Sequence, residues 1–572
     1  MFTYEINRAH FSAADTWIRQ YPTHFTYNFL NYGSNDNPSG YGAGIWIATE
    51  FGVPNCQIWY NVTEDAYNSG YSIYLPDEMG RDPQIWMSGY DYYNDALKNR
   101  IKKEPGYDTG GFLIPNTSTE EGLEDLKYYL RYHNIPIDGS SPFPSGVGGV
   151  AVFSTLFFNP VFSHSEDDRP ILFTPATYGP SHAMTVVGYD DNIAKDFDIE
   201  YDTEEPDQFS RKLPPSNYEW DFETNDWATT LKPMSEWEVG AIKVVNSWGP
   251  DSPDPGTGYF YVPYRYMNTM QNFVGINVET DITPTMTYKV AIQHHNRTGA
   301  ISKIGLSADP NSEFDDSGVA IKDFYAFTSK KGGNYPMRGN ECYEPIEYCL
   351  EVPKSYLTKK YFFIVDDDVA NDLDPLVAPE GFVPKIIDFE LIDKRYKEFH
   401  IVCDEHNVEI LDNGKAAVSI IYDIIKTNIT DDVVLNHNIG IAPSGSLTQL
   451  YIEDGKNLTL EDGTNLYFSN SGFCTYYENL HSTIHSVGNV KFIGFGDDED
   501  NKFTILNNDE LLIDGILTVT DTKLQLDSRS IMTLTDNSEL KIGTGAELFF
   551  TSTTILNQGL GSKITVDNNG LL

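Results

Sequence analysis

At 572 residues, with 84 acidic against 39 basic side chains and a net charge of −45, the chain is a poor match for nucleic acid or an anionic membrane surface. Its 40% apolar and 13% aromatic content is enough to bury real cores, its length calls for about three or four domains, and no apolar run of about 18 residues marks a membrane span. The five cysteines, Cys56, Cys342, Cys349, Cys403 and Cys474, are an odd number that defines no disulfide framework. A local Cys342 to Cys349 bridge is open, and packed free thiols are the simpler reading.

Met1-Phe2-Thr3-Tyr4-Glu5-Ile6 lacks the basic start, apolar middle and small-residue cleavage site of an export signal. The Tyr, Asn, Asp and Gly content is common in secreted proteins and also in plain β-rich folds, which leaves the compartment open; an extracellular or cell-surface place is the expectation. Residues 1–283 mix helical and strand patterns. Leu123, Leu126, Tyr129 and Leu130 recur at helical spacing and predict an amphipathic helix over Glu120 to Leu130. Strands are predicted at Gly149 to Phe153 and His182 to Gly188, which are β-branched or apolar and bounded by Gly and Pro. Between Asp190 and Glu238 the chain turns acidic and Pro-bearing without periodicity, the pattern of a solvated surface insertion rather than of a calcium loop.

From about Met286 to Asp423, short alternating segments such as Tyr288 to Ile292 and Lys385 to Leu391 predict an antiparallel β-sandwich, residues 284–423. The carboxylates Asp366, Asp367, Asp368, Asp372 and Asp374 raise Ca²⁺ as a question, although such loops usually face water. Over 424–572 apolar pairs recur every eight residues: Leu450 and Ile452, Leu458 and Leu460, Leu466 and Phe468, then Leu524 and Leu526, Met532 and Leu534, Leu540 and Ile542, Leu548 and Phe550. Two inward residues per rung, with turns such as Asp462-Gly463 and Asp536-Asn537, imply a β-solenoid; an antiparallel meander competes. Gly570-Leu571-Leu572 carries no polar cap, so the solenoid is expected to continue or to have been cut there.

The informative polar residues stand on two strand-like segments, Ser181-His182-Ala183-Met184-Thr185-Val186-Val187-Gly188-Tyr189-Asp190 and Ala241-Ile242-Lys243-Val244-Val245-Asn246-Ser247-Trp248-Gly249. On paired strands His182 and Asn246 can meet. An Asn carbonyl accepting the imidazole N–H would fix the ring's tautomer, and Trp248 would shield that bond from water.

The first segment resembles the His-Ala-x-x-x-x-Gly-Tyr of the papain-like cysteine peptidases, and the second resembles their Asn-Ser-Trp-Gly. Gly258-Tyr259-Phe260-Tyr261-Val262-Pro263 is similar to the family's closing strand. Upstream, Ser39-Gly40-Tyr41 followed by Ile45 to Val53 is similar to its Gly-Gly-Tyr and helix, with Ser39 in place of the first glycine. The resemblance implies an incomplete α+β papain-like domain over residues 1–283, with insertions near 60–118 and 191–239. It implies that His182 is the base of the catalytic thiolate and that Asn246 orients it. Neither a metal nor an organic cofactor is implied.

The family's nucleophile begins its central helix, about 40 residues before Gly-Gly-Tyr, where the helix N-terminus favours a thiolate. Counting back from Gly40, and matching Phe2 to the Phe of Cys-Trp-x-Phe, places that cysteine about two residues before Met1; the oxyanion-hole Gln would be missing too. Cys56 precedes His182 by 126 residues, an interval like the family's. However, that interval spans a long insertion, and Gly52-Val53-Pro54-Asn55-Cys56 matches a downstream surface segment, so Cys56 reads as a packed thiol. Two functions follow. One is a peptidase acting on polypeptides, its β domains serving a cell-surface or carbohydrate ligand. The other is a non-catalytic binding or adhesion protein on a degenerate peptidase fold.

Overall fold

The computed structural model describes residues 2–9, 19–22, 25–26, 29–30, 41–60, 89–103, 110–133, 148–156, 161–164, 169–174, 181–193, 220–221, 226–227, 240–245, 258–264, 267, 270–324, 336–337, 343–354, 358–367, 378–395, 398–425, 428–429, 431–441, 448–452, 456–468, 471–473, 482–494, 502–505 and 509–567. The chain divides into two compact units, residues 1–82 with 91–282, and residues 83–90 with 283–572.

In the first unit the helices that matter to the site are α1 (Phe2–Ala9), α2 (Tyr41–Glu50) and α3 (Glu120–Tyr132). Helix α3 starts where Thr119 turns extended and its hydroxyl accepts the Gly122 N–H at 3.2 Å, meeting one donor that a first turn leaves open. It stops at His133, whose φ of 66° ends the helical path while its N–H bonds the Tyr129 carbonyl. Leu123, Leu126, Tyr129 and Leu130 form its buried stripe. They pack with Phe153, Met184, Val186, Ile242, Val244, Phe260 and Val262 of the sheet. Each large side chain so buried contributes roughly 1.5–3 kcal/mol, which makes this shared core the main attachment of helix to sheet.

The sheet contains β1 (Gly111–Leu113), β2 (Ala151–Leu156), β3 (Val161–His164), β4 (Pro170–Thr174), β5 (Ser181–Asp190), β6 (Ala241–Val245), β7 (Tyr259–Pro263) and β8 (Met270–Ile276). Their spatial order is β1-β8-β2-β5-β6-β7-β4-β3, antiparallel throughout except between β7 and β4. In β5 the period of two is plain: Met184 and Val186 are buried, and Thr185 and Val187 face the other way, half-buried.

The second unit opens with β9 (Met286–Gln293), β10 (Ala300–Ser307), β11 (Ala320–Asp323), β12 (Ile346–Glu351), β13 (Lys360–Asp367), β14 (Lys385–Asp393), β15 (Phe399–Val402) and β16 (Lys415–Ile425). They make two antiparallel sheets, β12-β9-β14-β15 and β11-β10-β13-β16. Phe363 joins the two, 6.0 Å from the Phe389 ring and 6.4 Å from the Tyr348 ring, and the Tyr348 hydroxyl bonds that of Ser302. Cys349 is a free buried thiol, so no Cys342 to Cys349 bridge forms; Cys342 and Cys474 lie outside the described residues. Of the acidic loop, Asp366 pairs with Lys303 at 3.3 Å and Asp367 faces His294 at 3.6 Å, while Asp368, Asp372 and Asp374 lie outside the described residues.

Strand β16 then pairs in parallel with β17 (Asn438–Ile441), Tyr422 opposite Asn438. The second sheet therefore runs past residue 423, and residues 283–572 form one unit where the sequence pattern changes character. Beyond it stand β18 (Asn465–Phe468), β19 (Thr483–Gly494), β20 (Glu510–Thr520), β21 (Lys523–Leu526), β22 (Ile531–Leu534), β23 (Glu539–Ile542), β24 (Glu547–Phe550), β25 (Ile555–Gln558) and β26 (Lys563–Val566), all in parallel ladders.

Lys523 faces Glu547, Ile531 faces Ile555 and Glu539 faces Lys563, each across one turn of 24 residues. An octad is therefore one side of a three-sided rung, not a rung, which corrects the expectation of two inward residues per rung. The eight-residue period is a four-residue strand plus a four-residue corner. Ser530, Ser538 and Ala546 each close a corner by donating to the carbonyl three residues back, at 3.1–3.2 Å. The third corner residue is left-handed: Arg529 (φ 65°), Asn537 (63°) and Gly545 (67°). Leu524, Leu526, Met532, Leu534, Leu540, Ile542 and Leu548 share the interior, and Asp536 and Thr544 stand exposed at the corners. Strands β19 and β20 bend at Gly488 and Gly515, which pair directly, and a Cβ on Gly515 would lie 2.4 Å from the Gly488 carbonyl oxygen.

Candidate active site

His182 is the second residue of β5, half-buried and opposite Thr155 of β2. One pair along the ladder, Ala183 faces Ser154. Near Ser154 stands Tyr41, the first residue of α2, whose hydroxyl donates to the Asn272 carbonyl at 3.1 Å. Burial pushes the Tyr41 phenol above its ordinary value, with the contacts to Ser154 and Asn272 working against it. The Tyr of Ser39-Gly40-Tyr41 thus lies close to the strand position next to His182.

Strand β6 runs antiparallel to β5 on its other side, Val244 opposite Val186 and Val245 opposite Thr185, with a register shift between Val186 and Gly188. Val245 ends the described ladder. Asn246 and Trp248 lie outside the described residues.

The far end of β5 is tied down by charge. Arg169 Nη1 meets Asp190 Oδ2 at 2.7 Å, and this bond, with the Asn192 N–H, holds the Asp190 carboxyl below the usual carboxylate range. From α3, Lys127 Nζ reaches Asp191 at 2.7 Å and Glu124 at 2.8 Å and sits 4.8 Å above the Tyr264 ring. The Tyr264 hydroxyl donates to Asp191 at 2.9 Å. Burial works to lower the Lys127 ammonium, but the bonds to Asp191 and Glu124 hold it above its ordinary value. Helix α3 is thereby tied to the segment that follows β5.

Cys56 is buried, and burial pushes its thiol up to about 12. It stays protonated near neutrality and supplies no thiolate. Helix α1 is seated by a fully buried carboxylate that no sequence motif announces: Glu5 accepts the Val150 N–H at 3.0 Å and faces His133 Nε2 at 2.9 Å. Among the described residues no group of three or more His, Cys, Asp or Glu is placed to hold a metal ion, and no helix is long and apolar enough to cross a membrane.

No family model and no curated protein matches the chain. Among solved structures it is similar to xylellain, a cysteine protease from Xylella fastidiosa, at 15% identity and a TM-score of 0.25 over 48% of this chain and 75% of that one. It is also similar to the cysteine protease and lectin-like domains of Cwp84, a surface layer associated protein of Clostridium difficile, at 13% identity and a TM-score of 0.23 over 70% of this chain and 80% of that one.

Proposed function

We propose that the first unit is the histidine-bearing half of a papain-like cysteine peptidase, with His182 as its base, Asn246 as the residue that orients it and Trp248 as the shield of that pair. One observation carries the reading. The β5–β6 ladder brings Val245 opposite Thr185, with β6 running toward the His182 end of β5, and Asn246 is the next residue in the sequence. A cysteine thiolate paired with protonated His182 attacks the peptide carbonyl, and the imidazolium gives its proton to the leaving amine. Water, deprotonated by the now neutral imidazole, then releases the acyl group and restores the thiolate and imidazolium. The second unit binds a cell-surface or carbohydrate ligand, and the protein works outside the cell or on its surface.

The described cysteines supply no thiolate, since Cys56, Cys349 and Cys403 are all buried free thiols. That observation favours a second reading, a binding protein on a degenerate peptidase fold. Joining a Gln-x5-Cys-x-x-Cys-Trp segment in frame before Met1 separates the two. The peptidase reading expects thiol-dependent peptide hydrolysis that His182→Ala lowers by several orders of magnitude. A folded fusion that hydrolyses nothing supports the binding protein.

A further inference from the structure

On the outer face of the sheet β12-β9-β14-β15, one imidazole sits between two carboxylates. His400 Nδ1 lies 2.5 Å from Glu390 Oε1 and its Nε2 lies 3.3 Å from Glu398 Oε1. Only the doubly protonated ring can donate to both; a neutral ring turns a lone pair toward one of them. Glu398 stands directly before β15 and Lys394 directly after β14, and Lys394 lies 3.9 Å from Glu398 and 3.4 Å from the Tyr90 hydroxyl. Residues 89–90 belong to this second unit. The Gly89 N–H bonds the Glu347 carbonyl at 2.9 Å, and Lys289 and Lys394 stand 5.8 and 5.9 Å from the Tyr90 ring centre.

We infer that His400 is a proton-operated clasp: as imidazolium it bridges Glu390 and Glu398, holds Glu398 beside Lys394, and so keeps Lys394 on Tyr90 and the Gly89–Tyr90 segment against the sheet. Among the described residues this face also carries Lys289 and Glu347, 4.0 Å apart, the Cys349 thiol beneath Tyr90 with the Glu351 carboxylate acting on it, and Asp388, which holds His406 at 2.8 Å. Of these groups His400 is the one set between two carboxylates, and a histidine's charge changes within the physiological range. The Glu390 bond raises His400 above its ordinary 6.5, with burial opposing and Glu398 adding. A raised histidine stabilises the closed arrangement fully below its unfolded value and loses that contribution as pH rises through its folded value. The clasp is therefore shut in mildly acidic solution and slackens above it. With the His400 side chain 38% exposed, its strength is that of a partly solvated pair.

Hydrogen exchange of the full chain tests this at the Gly89 amide and the amides of β15. At each pH from about 5 to 8.5, across the histidine range, protection is taken as the ratio to His400→Gln, so that intrinsic exchange cancels. The clasp predicts a ratio of about two- to fivefold at the acid end, falling to one as His400 deprotonates. His406→Gln should keep the full step, and Glu398→Gln, which leaves His400 and Glu390 in place, should lose most of it. A ratio that is flat with pH, or a step that follows His406 instead, overturns the proposal. If His400→Gln fails to fold, Glu398→Gln decides alone: an unchanged step refutes the clasp, and a lost step supports it.

Discussion

Replacing Leu540 by Ala should open the solenoid, whereas the same change at Leu556 should hardly be felt. Leu540 is 0% exposed, lying between Leu517 of β20 and Ile564 of β26 on adjoining turns. Leu556 holds the equivalent inward place below Met532 but is 42% exposed, because β25 has no described rung beneath it. A buried Leu→Ala costs the transfer of its lost methyl groups plus the cavity, about 3 kcal/mol here and roughly 150-fold in an opening equilibrium. The exposed leucine should cost about 1 kcal/mol or less, under about fivefold. All eight tryptophans precede residue 249, so none lies within residues 510–567. Native-state hydrogen exchange read on peptides covering 510–567 is the suitable assay. If both variants lose the same protection, the 24-residue turn is wrong, since that register alone makes one octad interior and the other terminal.

In the first unit, Lys127→Ala should cost about 1–2 kcal/mol, because it strips Asp191 and Glu124 of a mostly buried cation; tryptophan fluorescence during urea unfolding would register it. Asp190, held low by Arg169, contributes stability that is present above its ordinary 3.8 and lost as pH falls through the depressed folded value. Arg169→Met should therefore raise the acid-unfolding midpoint of that unit, and an unchanged midpoint would discount the pair. Burial holds Cys56 and Cys349 at about 12 and Cys403 at about 11. None of these three should react with a thiol reagent at pH 8 until the chain is unfolded, and rapid native labelling of any one would contradict its burial. The chain itself should hydrolyse no peptide, and Cys56→Ala should change nothing; thiol-dependent turnover that disappears in Cys56→Ala would make Cys56 the nucleophile.

Legibility followed the range of the interactions. Helix α3 was readable because Leu123, Leu126, Tyr129 and Leu130 report a local 3.6-residue period. The solenoid was readable because Leu524 to Leu548 repeat, but the repeat discloses only the length of a side. How many sides close a turn depends on the left-handed residues at the corners, Arg529 and Asn537 among them, and on contacts 24 residues apart. Glu5 and His133 are separated by far more chain, and nothing near either residue marks their meeting. The passage of the second sheet into β17 escaped for a similar reason: composition changes near 423, whereas β16 continues its hydrogen bonding to Ile425. At the site, His182 stood out as a polar residue ending an apolar strand, and Tyr41 entered through its motif. The lock of Arg169, Asp190, Asp191 and Lys127 is assembled from three separate stretches of chain and has no local signature.

The distance between the His182 ring nitrogens and the Asn246 side-chain oxygen, measured in a crystal structure of the chain, tests the site assignment most directly. The account predicts a hydrogen bond of about 2.6–3.2 Å, or one rotamer change from it, at the rim of an open cleft. Side chains more than about 5 Å apart, with no rotamer that closes the gap, would contradict it.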